Sequence, residues 1–185
     1  MLSEIFKDAK HRMDQAVDHT RMELAKVRTG RANPELLHSI MVDYYGSQTP
    51  LNQVSTISVP EPRLITIQPY EKSLIPLIEK AIMESNLGLT PSNNGSAVMV
   101  PIPALSEERR RDLIKYVHHL IEEGRVAVRN VRRDTLHHIK EYGSEEHVSE
   151  DEIKRSEQEV QTLTDEHITL LNEIQEQKEK ELLEF

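Results

Sequence analysis

Cysteine and tryptophan are absent from this chain, and proline is missing from its first 33 and its last 82 residues. Without cysteine there is no disulfide framework and no thiolate chemistry, the usage expected of a protein kept in a reducing compartment. Aromatic residues make up 4% and apolar residues 37% of the chain, too little for a thick globular core. Helices in a bundle suit that composition, because each buries only one stripe. No long hydrophobic run is present either. The uncharged stretch 85–106 contains Asn86, Pro91, Ser92, Asn93, Asn94 and Gly95, which exclude it as a membrane span. Met1-Leu2-Ser3-Glu4 offers neither a basic nor an apolar leader region, so no secretory signal is expected. The expectation is a soluble, cytoplasmic monomer.

What is present is sharply partitioned. All nine prolines lie between Pro34 and Pro103. Proline removes a backbone donor and clashes with the preceding helical turn, so the flanks can be long helices and the middle cannot. Apolar residues at spacings of three and four support this reading. In the first flank they are Phe6, Ala9, Met13, Ala16, Thr20, Leu24 and Val27. A second series is Ile114, Val117, Ile121, Gly124, Val128 and Val131; a third is Ile153, Ser156, Val160, Leu163, His167, Leu170 and Ile174. Ser106 is placed to cap the second helix, and Ser149-Glu150-Asp151-Glu152 has capping-box spacing before the third. Gly143 and Ser144 are the expected break between them. Three such stripes predict a left-handed, antiparallel three-helix bundle.

The middle reads as short strands around one short helix. Ile40, Val42 and Tyr44 alternate before a turn at Gly46-Ser47; Val54-Ile57-Val59 and Leu64–Ile67 follow, cut by Pro60-Glu61-Pro62. Ser73 opens a helix over 74–85 that Gly88 closes, and Val98-Met99-Val100 is a last strand. The predicted fold class is therefore α+β in two domains. Residues 1–30 and 105–185 form the three-helix bundle, and 31–104 an inserted β/α/β domain. Two chain crossings, at Gly30-Arg31 and Pro103-Ala104-Leu105, permit hinge motion.

Charge is partitioned as well. The net charge of −9 divides into −11 over 141–185 and +2 over 1–140, and 107–140 alone carries +3. Along the second helix Arg111, Lys115, His118, Arg125, Arg129 and Arg132 share a stripe interrupted by Glu122, and Asn130 and Arg133 extend it. Guanidinium forks match phosphate oxygens, so the stripe suits a polyanion. A solvated helix face laced with pairs such as Glu122–Arg125 accounts for the same residues. Arg28-Thr29-Gly30-Arg31-Ala32-Asn33-Pro34 ends the first helix, since Pro34 disfavours helix at Asn33, and sets two arginines at the joint.

Six ordered motifs carry a resemblance that spans the chain. They are Arg28 to Pro34 as above, Val42-Asp43-Tyr44-Tyr45-Gly46, Glu79-Lys80-Ala81-Ile82, Leu87-Gly88-Leu89, Leu105-Ser106-Glu107-Glu108-Arg109-Arg110, and Arg129-Asn130-Val131-Arg132-Arg133-Asp134. Together they resemble the ribosome recycling factor family. The resemblance implies an L-shaped molecule that binds large-subunit ribosomal RNA between the subunits after termination. It implies that elongation factor G, hydrolysing GTP, then helps separate the subunits. By position it assigns RNA binding to Arg129, Arg132, Arg133 and Asn130, to Arg28 and Arg31, and to Arg109 and Arg110. It implies no nucleotide or cofactor on this chain, no covalent chemistry, no DNA and no membrane. One departure stands out: the family commonly has arginine where this chain has Met99.

Other constellations offer less. His137 and Glu141 stand at i,i+4, but metal binding needs three or four convergent ligands and no third is placed. Asn93-Asn94-Gly95-Ser96 lacks the glycines and lysine of a phosphate loop and reads as a turn. His167, on a seam, reads as a packed histidine. A coiled-coil adaptor remains as the rival from another class, and an enzyme is the weaker one.

Overall fold

The computed structural model describes residues 1–184, which divide into two compact units: Met1–Arg28 with Glu107–Glu184, and Thr29–Ser106. The sequence reading set the joints at 30/31 and 104/105; the division falls two residues earlier on the way out and two later on the return.

The first unit is three helices, α1 (Leu2–Ala25), α4 (Glu107–Glu145) and α5 (Glu150–Glu184), each packed against the other two. Met13, Val17 and Leu24 of α1, Val117, Ile121 and Val128 of α4, and Val160, Leu163 and Leu171 of α5 lose nearly all contact with solvent. That is the knobs-and-holes seam the heptads require. Buried threonines tolerate the seam because each hydroxyl donates to the carbonyl four residues back: Thr20 to Ala16, Thr135 to Val131 and Thr164 to Val160. His167 is buried with its ring nitrogens 2.7 Å from the Leu163 carbonyl and 2.6 Å from the Asp14 carboxylate, which ties α5 to α1. No helix among the described residues is long and apolar enough to cross a membrane.

Three expectations for these helices need correction. First, α4 does not stop at Gly143-Ser144; it runs through both, and the chain turns at 146–149, where His147 adopts φ +54°. Gly143 is buried instead, and a Cβ there would lie 2.4 Å from Ile153 Cδ1. That glycine lets α5 approach. Second, the α5 seam passes through Leu171, fully buried, and not Leu170, which is 37% exposed. Two hydrophobic neighbours left the register ambiguous, and packing against Gly124 resolved it: a Cβ at Gly124 would sit 3.3 Å from Leu171 Cδ2. Third, α1 ends at Ala25, before the Arg28 to Pro34 motif. The Ser149 side chain does cap α5, accepting from the Glu152 amide at 3.3 Å.

The second unit contains β1 (Met41–Tyr44), β2 (Ser47–Pro50), α2 (Leu51–Val54), β3 (Ser55–Glu61), β4 (Leu64–Pro69), α3 (Ile75–Glu84), β5 (Ser92–Asn93) and β6 (Val98–Pro101). β1 and β2 form a hairpin, and the other four strands form an antiparallel sheet in the order β3-β4-β6-β5. Register sets Ile67 opposite Val98 and Ile65 opposite Val100, so one face is continuously aliphatic. Ile75, Ile78 and Ile82 of α3 join those residues, Leu37, Val42 and Leu51 in one core.

Here too the sequence reading needs amendment. β2 was not expected: Ser47-Gln48-Thr49-Pro50 lacks an apolar alternation, yet the Tyr45-Gly46 turn, with φ +51° and +83°, folds it back onto β1. β3 continues through Pro60, as an edge strand allows. The short helix begins at Ile75 after a 3-10 turn over Lys72–Leu74, so Ser73 does not open it. Asn86, with φ +58°, follows its end before Gly88 does. Asn93-Asn94-Gly95-Ser96 is a turn in which Asn94 Oδ1 accepts from the Ser96 and Ala97 amides.

Candidate nucleic-acid interface

The cationic residues of α4 are spaced by a helix that advances about 100° per residue. Lys115, Arg129 and Arg133 therefore fall on the outward side, and Arg125 and Arg132 lean toward α5. Arg125 donates from Nε and Nη2 to Asn172 Oδ1 at 3.1 and 2.6 Å, and from Nη2 to Gln175 Oε1 at 3.1 Å. Arg132 Nη1 reaches Gln161 Oε1 at 3.4 Å, and its Nε is buried without an acceptor. Arg133 is exposed and has no partner among the described residues, and Asn130 is exposed about 100° further round than Arg129.

Glu122 interrupts the strip chemically as well as in sequence. Its carboxylate accepts from Arg125 Nη1 at 3.1 Å and from Arg129 Nη1 at 3.3 Å. The hydrogen bond from Arg125 and the charge of both guanidinium groups hold its proton affinity below the usual carboxylate range, against a smaller opposing effect of burial. So the solvated-pair reading of Glu122–Arg125 is correct as geometry. Arg129 pairs with Glu122 and not with Asp134, which instead meets Arg12 of α1 at 3.0 Å. Exposed pairs of this kind contribute little to stability and exchange readily for another anion.

The remaining candidates are dispersed. Arg28 is exposed, three residues beyond the end of α1. In the first turn of α4, Arg109 is exposed and Arg110 is half-buried, its Nε without an acceptor. Neighbouring Arg111 pairs with Glu107 at 2.7 Å. Arg31 is exposed in the second unit, beside Gly30, whose φ of +78° suits glycine. Pro103 and Ala104 are exposed and Leu105 is half-buried. Met99 lies in β6 opposite Thr66 and Ser92. His137 meets Glu141 at 3.1 Å, a pair within one helix.

Sequence reasoning missed the α5 side of this surface: Gln161, Asn172 and Gln175. The available signal was weak, a glutamine followed four residues later by an acid, at Gln161–Asp165 and Gln175–Glu179. It also missed how the insert anchors its two crossings. Ala32 N–H donates to Pro62 O and Ile102 N–H to Arg63 O, both at 2.7 Å, so both segments leave from the same β3–β4 turn.

Among known proteins, the model of the family described as ribosome recycling factor matches residues 20–183. The ribosome-recycling factor of Shouchella clausii is 49% identical over 184 residues, covering 100% of both chains, and that of a Geobacillus species is 50% identical over the same span. The solution structure of the ribosome recycling factor superposes with a TM-score of 0.70 at 44% identity, covering 100% of this chain and 98% of that one. A second structure contains models for the T. thermophilus ribosome recycling factor and the E. coli elongation factor G bound to the E. coli post-termination complex. It matches with a TM-score of 0.63 at 45% identity over 99% of each chain.

Proposed function

This chain belongs to the ribosome recycling factor family, and from that membership we propose that its α4 strip grips large-subunit ribosomal RNA while the insert transmits force from elongation factor G. Recycling of ribosomes after termination is the family's role and hence this chain's. RNA contact through Arg129, Arg132, Arg133 and Asn130, with Arg28, Arg31, Arg109 and Arg110 as flanking contacts, is the finer reading.

One observation carries it. Three guanidinium groups fall within five residues of a 39-residue helix, a rod stiff enough to hold them in register, and Arg133 has no partner among the described residues. Phosphate oxygens accept bidentate donation from such forks, and the exposed Glu122 pairs can be exchanged for them. Heptad residues of all three helices are buried against one another within the bundle, whereas an adaptor would need a seam presented to a partner helix.

In this mechanism the chain catalyses no covalent step and holds no nucleotide; GTP hydrolysis belongs to elongation factor G. The insert is a compact unit, and its two outgoing segments start from one turn, at Ala32–Pro62 and Ile102–Arg63. Force applied to it is thus delivered through two short crossings. The test is binding to purified ribosomes across a salt series. With about five phosphates neutralised, a fourfold rise in salt weakens binding by roughly two to three orders of magnitude. Arg132→Ala and Arg133→Ala each lower affinity with helix content unchanged. Wild-type affinity in both variants overturns the RNA reading.

A further inference from the structure

Two glutamines of α5 repeat one arrangement. Gln161 Oε1 accepts from Arg132 Nη1 while Gln161 Nε2 donates to Asp165 Oδ1 at 2.9 Å, four residues on. Gln175 Oε1 accepts from Arg125 Nη2 while Gln175 Nε2 donates to Glu179 Oε1 at 3.2 Å, again four residues on. In both, the carboxylate takes the amide's NH2 end and leaves its carbonyl oxygen for the arginine. A guanidinium only donates, so the reverse amide orientation would set donor against donor. The acid therefore orients the amide, and the amide orients the arginine.

The chemistry of the acceptor matters. A carboxylate touching the guanidinium would hold it more firmly but would cancel its charge. An amide oxygen holds it and leaves the positive charge intact. Arg132 is the cleaner case, because Gln161 is its only acceptor among the described residues and no carboxylate bonds to it. Arg125 shares Glu122, and His118 lies against Glu179, so charge near Gln175 is partly offset.

We propose that Gln161 and Gln175 are positioning residues: through acceptors that carry no charge they fix Arg132, which has no carboxylate on it, and Arg125, which shares only Glu122, at the edge of the α4 strip, ready for phosphate oxygens. This rests on the RNA-binding reading above. It adds α5, the acidic helix, to the binding machinery as the scaffold of the strip.

The test is Gln161→Glu, an isosteric change that puts a carboxylate on Arg132. Ribosome affinity in dilute buffer falls about tenfold, and the slope of log affinity against log salt becomes shallower by about 0.7–0.9, the loss of one phosphate contact. The variant also loses the bond to Asp165 and sets two carboxylates four residues apart, so an unchanged helix content, rather than thermal stability, separates the effect from a folding defect. Gln161→Leu removes the acceptor but not the charge, so affinity falls by a smaller factor and the slope is unchanged. Gln158→Glu sets the background, since it adds the same charge to the same helix at a residue with no bond to the strip. If Gln161→Glu matches Gln158→Glu in affinity and slope, the charge-sparing role is overturned; wild-type affinity in Gln161→Leu overturns the holding role. Arg129→Ala and Arg133→Ala separate the two layers. If they weaken binding and Gln161→Glu does not, only the positioning role fails; if they too bind like wild type, the RNA reading itself has failed.

Discussion

Gly124 and Gly143 occupy the same helix, and both are buried, yet they carry different constraints. At Gly124 a Cβ would meet Thr20 Oγ1 at 2.5 Å and both Leu171 methyls at 3.3 and 3.4 Å, side chains from two helices at once. At Gly143 it would meet a single side chain, Ile153, at Cδ1 (2.4 Å) and Cγ1 (3.0 Å), so that isoleucine must shift. Glycine inside a helix costs about 1 kcal/mol relative to alanine. Gly143→Ala is therefore expected to change stability by less than about 1 kcal/mol, because the gain in helix propensity is offset by displacing Ile153, and Gly124→Leu to destabilise it by about 1–3 kcal/mol through overpacking; both are read by denaturant unfolding. At this scale the sequence identified Gly124 as a seam residue but misread Gly143 as a break. Periodicity registers which face a residue lies on, not how closely the next helix approaches.

A second residue-scale expectation concerns Tyr44 and Tyr45, whose hydroxyls donate to the two oxygens of Glu71 at 3.2 and 2.9 Å. Those hydrogen bonds, then the carboxylate's charge, push both phenols above their ordinary value. A raised folded-state value means that the contribution is fully present below the ordinary phenol range and is lost as pH climbs through the raised values. Absorbance titration is expected to show both phenols ionising at lower pH in Glu71→Gln. Unchanged titration in that variant refutes the assignment.

At the scale of elements, the end of one helix and the start of the next were legible to different degrees. Ser149 reads as a cap because its spacing to Glu152 is local, and its side chain accepts the Glu152 amide. Ser149→Ala is expected to lower stability by about 1 kcal/mol, measured as a shift in the denaturant midpoint with an unchanged slope. The preceding terminus was not legible, since helix α4 survives Gly143-Ser144 by burying Gly143 against the neighbouring helix. β2 was illegible for a similar reason. Its residues have no apolar pattern, and only pairing with β1 across a positive-φ turn makes it a strand.

For the whole molecule, the absence of cysteine is an experimental opening. Cysteines placed at Gly30 and Ala104 would be the only thiols, each two residues from a position bonded to the Pro62-Arg63 turn. Bridging them with a bifunctional thiol reagent is expected to leave ribosome binding within about twofold and to abolish subunit splitting by elongation factor G and GTP. Both positions belong to the insert's own unit, so the bridge ties its two outgoing segments to each other, and splitting at the wild-type rate removes independent motion of those segments from the mechanism. The acidic share of the molecule also acquires a use at this scale. The −11 carried by 141–185 includes Asp165 and Glu179, which steer amides toward arginines and do not pair with them directly.

Proline placement, heptad spacing and the arginine motifs by themselves determined that this chain is a three-helix body with a β-containing insert. They also determined which helix carries the cations, because those patterns depend on local backbone rules and on helical period. Tertiary structure alone decided the register of Leu171 over Leu170, the burial of Gly143, the pairing of β2, and the amide partners of Arg125 and Arg132. Each of those depends on what a second segment brings to within a few ångströms, and no spacing along one strand of sequence encodes that distance.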